Sequence, residues 1–458
     1  MTRVRPARAG AALAASAALA LSACGGSAGD DGPAPPGVAG APRAEQQLAG
    51  IGGDARPADT TTNTAATRAT SRTGWPRSLS IGLIDQEDGA AKLRGRAPFG
   101  LRWHYLSGGA GTDGSWDTWR TGGGSYASAY VEDARANGTI PFLSYYVLQE
   151  TPPTASAPDE TQKVLRGLAS RKTMRAVVAD LRLALTRMGA AAGDGPAVLQ
   201  VEPDLWGYVQ QHAGGAGGAS TPARIKGTDR RAKGLPNTVA GFARLVTRIR
   251  DEVAPNVLLA YPVSIWGTNK DIVGSDPSAA DVERMIGLST AFWRSLGRPF
   301  DLLTFEFANR TAGYQEKVDG VAARDAQWTA ENYDRHVEFV RGVLRGTKRP
   351  GVLWQVPPGN TVSPVMDDTP GHYRDDKVQA LLGAPGRPLL RRYRDAGVVA
   401  VLFGSAFPDD TCACVRTDDH ATAGGGEDDG GYLTEQVRRY GRGALGTSRR
   451  VRVVTRGK

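Results

Sequence analysis

The chain has 458 residues, 40% hydrophobic and 22% charged, with a formal net charge of +9, three cysteines and five histidines. The positive charge does not indicate a nucleic-acid partner. Arg3, Arg5 and Arg8 lie in the first segment and Arg449, Arg450, Arg452, Arg456 and Lys458 in an acid-free end, which leaves the rest nearly neutral. Only Cys412 and Cys414 remain beyond Cys24, so with so few histidines no zinc framework can be assembled and no metal or other cofactor is expected.

Residues 1–23 place three arginines before an uncharged Ala/Leu run, the layout of a secretory signal and shorter than the ~20 apolar residues a membrane span needs. The Leu-Ser-Ala-Cys that closes the run resembles a bacterial lipobox. That resemblance implies lipidation of Cys24 and a protein anchored on the extracytoplasmic face of the cell membrane. Residues 24–74 are rich in Gly, Ala, Pro, Ser and Thr, cannot bury a core and read as a tether. Residues 75–446 read as the folded domain and 447–458 as a basic tail.

Eight short apolar runs follow, at 78–85, 99–106, 140–148, 197–203, 256–264, 300–307, 351–357 and 397–405. Between them, helical spacing predicts helices over 126–137, 171–188, 238–253, 279–296, 329–344 and 377–396. The first gap is too short for a full helix. Strand then helix, repeated eight times, predicts a closed (β/α)₈ barrel. A doubly wound open sheet is second, because "LIDQEDG" after the first run puts acids where a phosphate turn needs amides.

Alternation along the runs separates a polar stripe from an apolar one. Arg102 and His104, Ser144 and Tyr146, Gln200, Glu202 and Asp204, Thr304 and Glu306, and Gln355 form the polar set. Covering helices demand the apolar stripe, so the polar set is expected to face the barrel axis. Deep in the strands, Ser144, Gln200 and Thr304 fit hydrogen-bonded core groups. At the C-terminal strand ends, Glu202 and Glu306 fit chemistry, with Asp204 and Asp85 assisting, since an unpartnered buried carboxylate is costly. Two carboxyls across a mouth suit glycosidic bond cleavage. Aromatic rings suit the C–H faces of sugars, and Tyr105, Tyr146, Trp206, Tyr261, Trp266 and Tyr373, with Arg102, His104, Gln355 and His372, are the candidate substrate contacts. By parity Trp103 and Trp354 read as core.

The order of elements and the strand-end Glu resemble the (β/α)₈ glycoside hydrolases of the large clan A type, and "VEPDLWG" is similar to an Ile/Val-Glu-Pro-Asp stretch of family-six cellulases. The resemblance implies hydrolysis of a polysaccharide. In the clan the fourth-strand motif is Asn-Glu and a nucleophile Glu ends strand seven, whereas here Val201 precedes Glu202 and Gln355 occupies the latter place. These departures support the alternative of a non-catalytic polysaccharide-binding barrel. The stretch 360–376, with Asp367, Asp368, His372 and Tyr373, reads as a loop over the mouth or simply as a solvated turn, and the acidic stretch 408–431 offers carboxylates that suit calcium but lacks EF-hand spacing.

Overall fold

The computed structural model describes residues 74–307, 310–404 and 429–453. Cys24, Cys412, Cys414 and most of the acidic stretch after residue 404 lie outside them. Eight strands, β1 (Ser80–Ile84), β2 (Leu101–Ser107), β3 (Ile140–Tyr146), β4 (Ala197–Val201), β5 (Val257–Val263), β6 (Leu302–Glu306), β7 (Gly351–Val356) and β8 (Val398–Phe403), pair in chain order as a closed barrel. Every pairing is parallel, including β8 with β1. All eight predicted runs are strands, and the fold is the (β/α)₈ barrel.

The helices are α1 (Ala90–Arg96), α2 (Ser125–Ala136), α3 (Glu160–Ala169), α4 (Arg171–Ala192), α5 (Leu205–His212) and α6 (Val239–Val253). They continue as α7 (Ala279–Ser295), α8 (Ala312–Lys317), α9 (Ala323–Ala326), α10 (Ala330–Thr347), α11 (Pro388–Ala396) and α12 (Tyr432–Gly441). Their starts follow local chemistry: Ser278 and Asp281 close a capping box on α7, as Thr329 and Asn332 do on α10. The helix expected over 377–396 is interrupted. A π-helical turn spans Gln379–Gly383 and a new helix begins with Pro388 in its first turn, because proline lacks the N–H and the clearance to continue a helix but is suited to start one.

Strands buried on both faces explain the apolar runs. Outward residues such as Leu143, Leu199, Leu259, Phe305 and Val401 pack on the helices, while Leu101, Trp103, Phe142, Val198, Leu258, Leu302, Val352, Trp354 and Leu402 fill the interior. A polar layer crosses that interior. Ser144 Oγ donates to Gln200 Oε1 (2.6 Å) and Gln200 Nε2 donates to Thr304 Oγ1 (2.7 Å), so these buried groups satisfy one another as expected of core groups. At the N-terminal end of the strands, Trp75, Val451 and Val453 join the interior cluster. Ser78 bridges Gly446, and Thr447 N donates to the Arg77 carbonyl (2.8 Å).

The expected parity fails on β2. Tyr105 is level with Ser144 and His104 with Leu143, so Trp103 and Tyr105 face the axis while Arg102 and His104 face the helices. Trp103 Nε1 donates across the interior to the Phe403 carbonyl (2.7 Å). The inversion is tolerated because the outer side is polar. Arg102, fully buried, pairs with Asp85 (3.1 Å) and with Asp133 of α2, and lies 4.0 Å from the Tyr130 ring centroid. His104 packs among Trp119, Tyr126 and Tyr130.

Candidate active site

Two strand ends depart from extended geometry. Glu202, directly after β4, has φ 51°, and Gln355 in β7 has φ 54°. The β7–β8 register shifts between Leu353 and Val356, a bulge that turns successive side chains toward the same face. Trp354 meets Trp103 inside the barrel (5.8 Å between ring centroids), and Gln355 Nε2 also reaches inward to the Tyr105 hydroxyl (2.7 Å).

The left-handed turn at Glu202 separates the two acids of the Glu-Pro-Asp stretch. Glu202 is 1% exposed, and its Oε1 accepts from the backbone N–H groups of Val147 (3.2 Å) and Leu148 (3.0 Å). Its charged neighbours include Asp180 of α4, and Tyr145, which it influences, donates to the Val177 carbonyl of the same helix. Glu202 thus sits in the layer between β3 and α4, with its Oε1 held by two main-chain donors, and not beside Glu306. Burial raises its pKa to about 8, against the lowering effect of the two amides.

Asp204 takes the place at the mouth. It is hydrogen-bonded by the Tyr146 hydroxyl, and burial followed by the charge of Glu160 raises its pKa to about 7. Across the mouth, Glu306 at the end of β6 is raised to about 8 by burial, then by the charges of Asp204 and Asp271, and is opposed by a hydrogen bond from Trp266 Nε1 (3.4 Å). Tyr105 feels both acids, and with burial they push its hydroxyl well above the usual range. Asp204 and Glu306 remain partly accessible, as do Tyr105, Tyr208 and Trp266. Tyr208 and Trp266 form a ring pair at 4.7 Å, and the Tyr208 hydroxyl donates to Glu160.

The structure therefore brings together Asp204, Glu306, Tyr105, Tyr146, Trp266 and Gln355 from the sequence-predicted set. Others lie elsewhere. Asp85 is held by Arg102 beside Asp133, and its carboxyl is raised mainly by burial. Arg102 and His104 are on the outer face of β2. Trp206 is fully buried, donates to the Val201 carbonyl (2.7 Å) and packs on Phe242, Tyr261 and Phe300, so Trp206 and Tyr261 are core of the sheet–helix layer. For Tyr261 the alternation along β5, where Leu258 and Ala260 face the interior, carries that signal. His372 and Tyr373 are buried in the loop after β7, where Tyr373 meets Tyr314 at 5.1 Å.

Glu160 and Asp271 join the mouth without having been selected as site residues from sequence, Tyr208 joins it from the aromatic rings that follow the Glu-Pro-Asp stretch, and His336 stands behind it. His336 Nε2 is 3.2 Å from the Glu306 carbonyl and Nδ1 is 2.8 Å from the Tyr393 hydroxyl; burial lowers its pKa to about 4, so it is neutral near pH 7. Among the described residues, no group of three or more His, Cys, Asp or Glu side chains is arranged to hold a metal ion.

No family model and no curated protein matches the chain. Solved structures to which it is similar include a GH26 beta-mannanase from Bacteroides ovatus, 13% identical with a TM-score of 0.43, over 86% of this chain and 98% of that one. A GH26 endo-beta-1,4-mannanase from Bacillus sp. JAMB-750 is 12% identical with a TM-score of 0.43, over 82% and 90% of the two chains. A psychrophilic glycoside hydrolase family 10 endo-beta-1,4-xylanase is 12% identical with a TM-score of 0.40, over 72% and 86%. The barrel of this chain is established by its own strand pairing.

Proposed function

We propose that the protein is a glycoside hydrolase acting on an extracellular or cell-envelope polysaccharide, with Asp204 and Glu306 as its carboxyl pair. The observation that carries this reading is the pairing itself: two partly accessible acids at the C-terminal mouth, raised chiefly by burial to about 7 and about 8, with the charge of the first adding to the rise of the second. Near neutral pH burial and mutual charge favour one proton held between the two carboxyls, so that one serves as acid and the other as carboxylate. That is the division of labour glycosidic cleavage needs. Glu306 donates its proton to the leaving glycosidic oxygen, and Asp204 attacks the sugar or activates water. The Tyr146 hydroxyl steadies the Asp204 carboxylate, and Tyr105, Tyr208 and Trp266 offer ring faces to the sugar.

A second reading, a barrel that binds polysaccharide without cleaving it, draws on Gln355, an amide bonded to Tyr105 at the end of β7 where the clan A resemblance calls for an acid. Reducing-sugar release from a panel of envelope and plant polysaccharides separates the two. Release that disappears in Asp204→Asn and Glu306→Gln while binding persists supports the hydrolase. Binding by the wild type with no release from any member establishes the second reading instead. The lipid anchor at Cys24 is proposed with either.

A further inference from the structure

The end of the barrel opposite the mouth carries positive charge that the proposed reaction does not use. Arg298 precedes β6, Lys348 and Arg349 lie between α10 and β7, and Arg449, Arg450 and Arg452 follow α12. Hydrogen bonds knit these segments into one surface: Arg349 Nη2 donates to the Arg298 carbonyl (3.3 Å), and Arg449 Nη1 donates to the Arg349 carbonyl (3.0 Å). Main-chain carbonyls fix a guanidinium without neutralising it. Arg298, Lys348, Arg450 and Arg452 are exposed. Two acids near these segments are paired with other arginines, Asp301 with Arg250 (2.6 Å) and Asp395 with Arg394 (2.6 Å), while Asp194 is exposed between α4 and β4.

The same end receives the chain from the tether. Trp75 is buried with Val451 and Val453, and the Arg77 carbonyl accepts from Thr447 N (2.8 Å). Residues leading back toward Cys24 therefore depart beside the basic surface. We propose that this surface docks on an anionic phospholipid membrane, so that the mouth faces away from it. The reading of Cys24 as a lipid anchor supplies the membrane's side, but the surface itself acts through charge alone. Each Lys or Arg near an anionic bilayer adds about 1 kcal/mol of attraction.

Flotation with vesicles tests this on the full chain carrying Cys24→Ser, comparing phosphatidylglycerol-containing with pure phosphatidylcholine vesicles. The neutral vesicles report whatever the apolar residues 9–23 contribute. Binding to the anionic vesicles should exceed the neutral control and weaken as salt rises. Lys348→Glu, Arg450→Glu and Arg452→Glu together should reduce the anionic excess by at least on the order of a hundredfold. Lys317→Glu with Arg324→Glu, exposed positions after β6, should leave it, and unchanged melting curves report that both variants fold. Equal binding to the two vesicle types, or an unaltered excess in the triple variant, overturns the proposal. A soluble anionic glycopolymer bound in preference to both vesicles overturns it in favour of a wall-polymer partner. Failure of Cys24 to take up labelled fatty acid in the unmodified chain removes the anchor reading but leaves the vesicle result standing.

Discussion

Two regions a few residues apart both gather carboxyl groups with raised pKa values, and they differ in what those groups can reach. Behind β3, Glu202 and Asp180 are raised to about 8 and about 6, but Glu202 is closed in by two backbone amides and Asp180 accepts from Trp116 Nε1 (2.9 Å). At the mouth, Asp204 and Glu306 are raised to about 7 and about 8 with part of their surface free. A perturbed carboxyl marks chemistry only where a substrate can approach it; where the protein itself uses the lone pairs, the same perturbation marks architecture.

The sharpest way to break this contrast is to remove each acid in turn. Asp204→Asn and Glu306→Gln should each lower polysaccharide turnover by roughly 10²–10⁴-fold with little change in melting temperature. Glu202→Ala should do the reverse. It leaves two buried N–H groups without an acceptor and should cost about 3 kcal/mol in urea unfolding, while Glu202→Gln keeps an acceptor and should cost less. If Glu202→Gln abolished turnover in a stable protein, the two regions would have to exchange roles.

pH distinguishes them further. Turnover needs Asp204 ionised and Glu306 protonated, so the rate should rise through about 7 and fall through about 8, limits that belong to the pair as a unit. Stability has a different profile. Glu202 keeps its proton in the fold to about 8 but loses it near 4.5 when unfolded, so its contribution is complete at acidic pH and declines as pH rises across that window. Glu202→Gln should flatten the unfolding free energy between those limits without shifting the rate profile. The smallest expected effect is that of Trp266→Ala. Loss of the ring should raise KM about tenfold. Loss of its hydrogen bond, which lowers the Glu306 pKa, should move the alkaline limb upward.

The barrel was legible because strands buried on both faces spell apolar runs, and the helices between them carry a helical period. Within strands, alternation placed Ser144, Gln200, Thr304 and Glu306 correctly because those strands run without interruption. It misled on β2, where the buried charge of Arg102 is compensated by Asp85 and Asp133, partners just after β1 and on α2 that no local pattern reveals. It also could not see the left-handed residues. A positive φ at Glu202 redirects a carboxyl that alternation sends inward, and the bulge at Gln355 turns neighbouring side chains to one face. Glu160 and Asp271 reach the mouth only through tertiary assembly.

The hydrogen-bonded relay from Ser144 through Gln200 to Thr304 has a bearing on folding as well as packing. Its two links span 56 and 104 residues. A one-residue slip of any of the three strands would carry its polar group to the oily outer face, so the relay acts as a checksum on register. Since Asp204 follows the second of these strands and Glu306 ends the third, the acid pair acquires its geometry only when this long-range closure is complete.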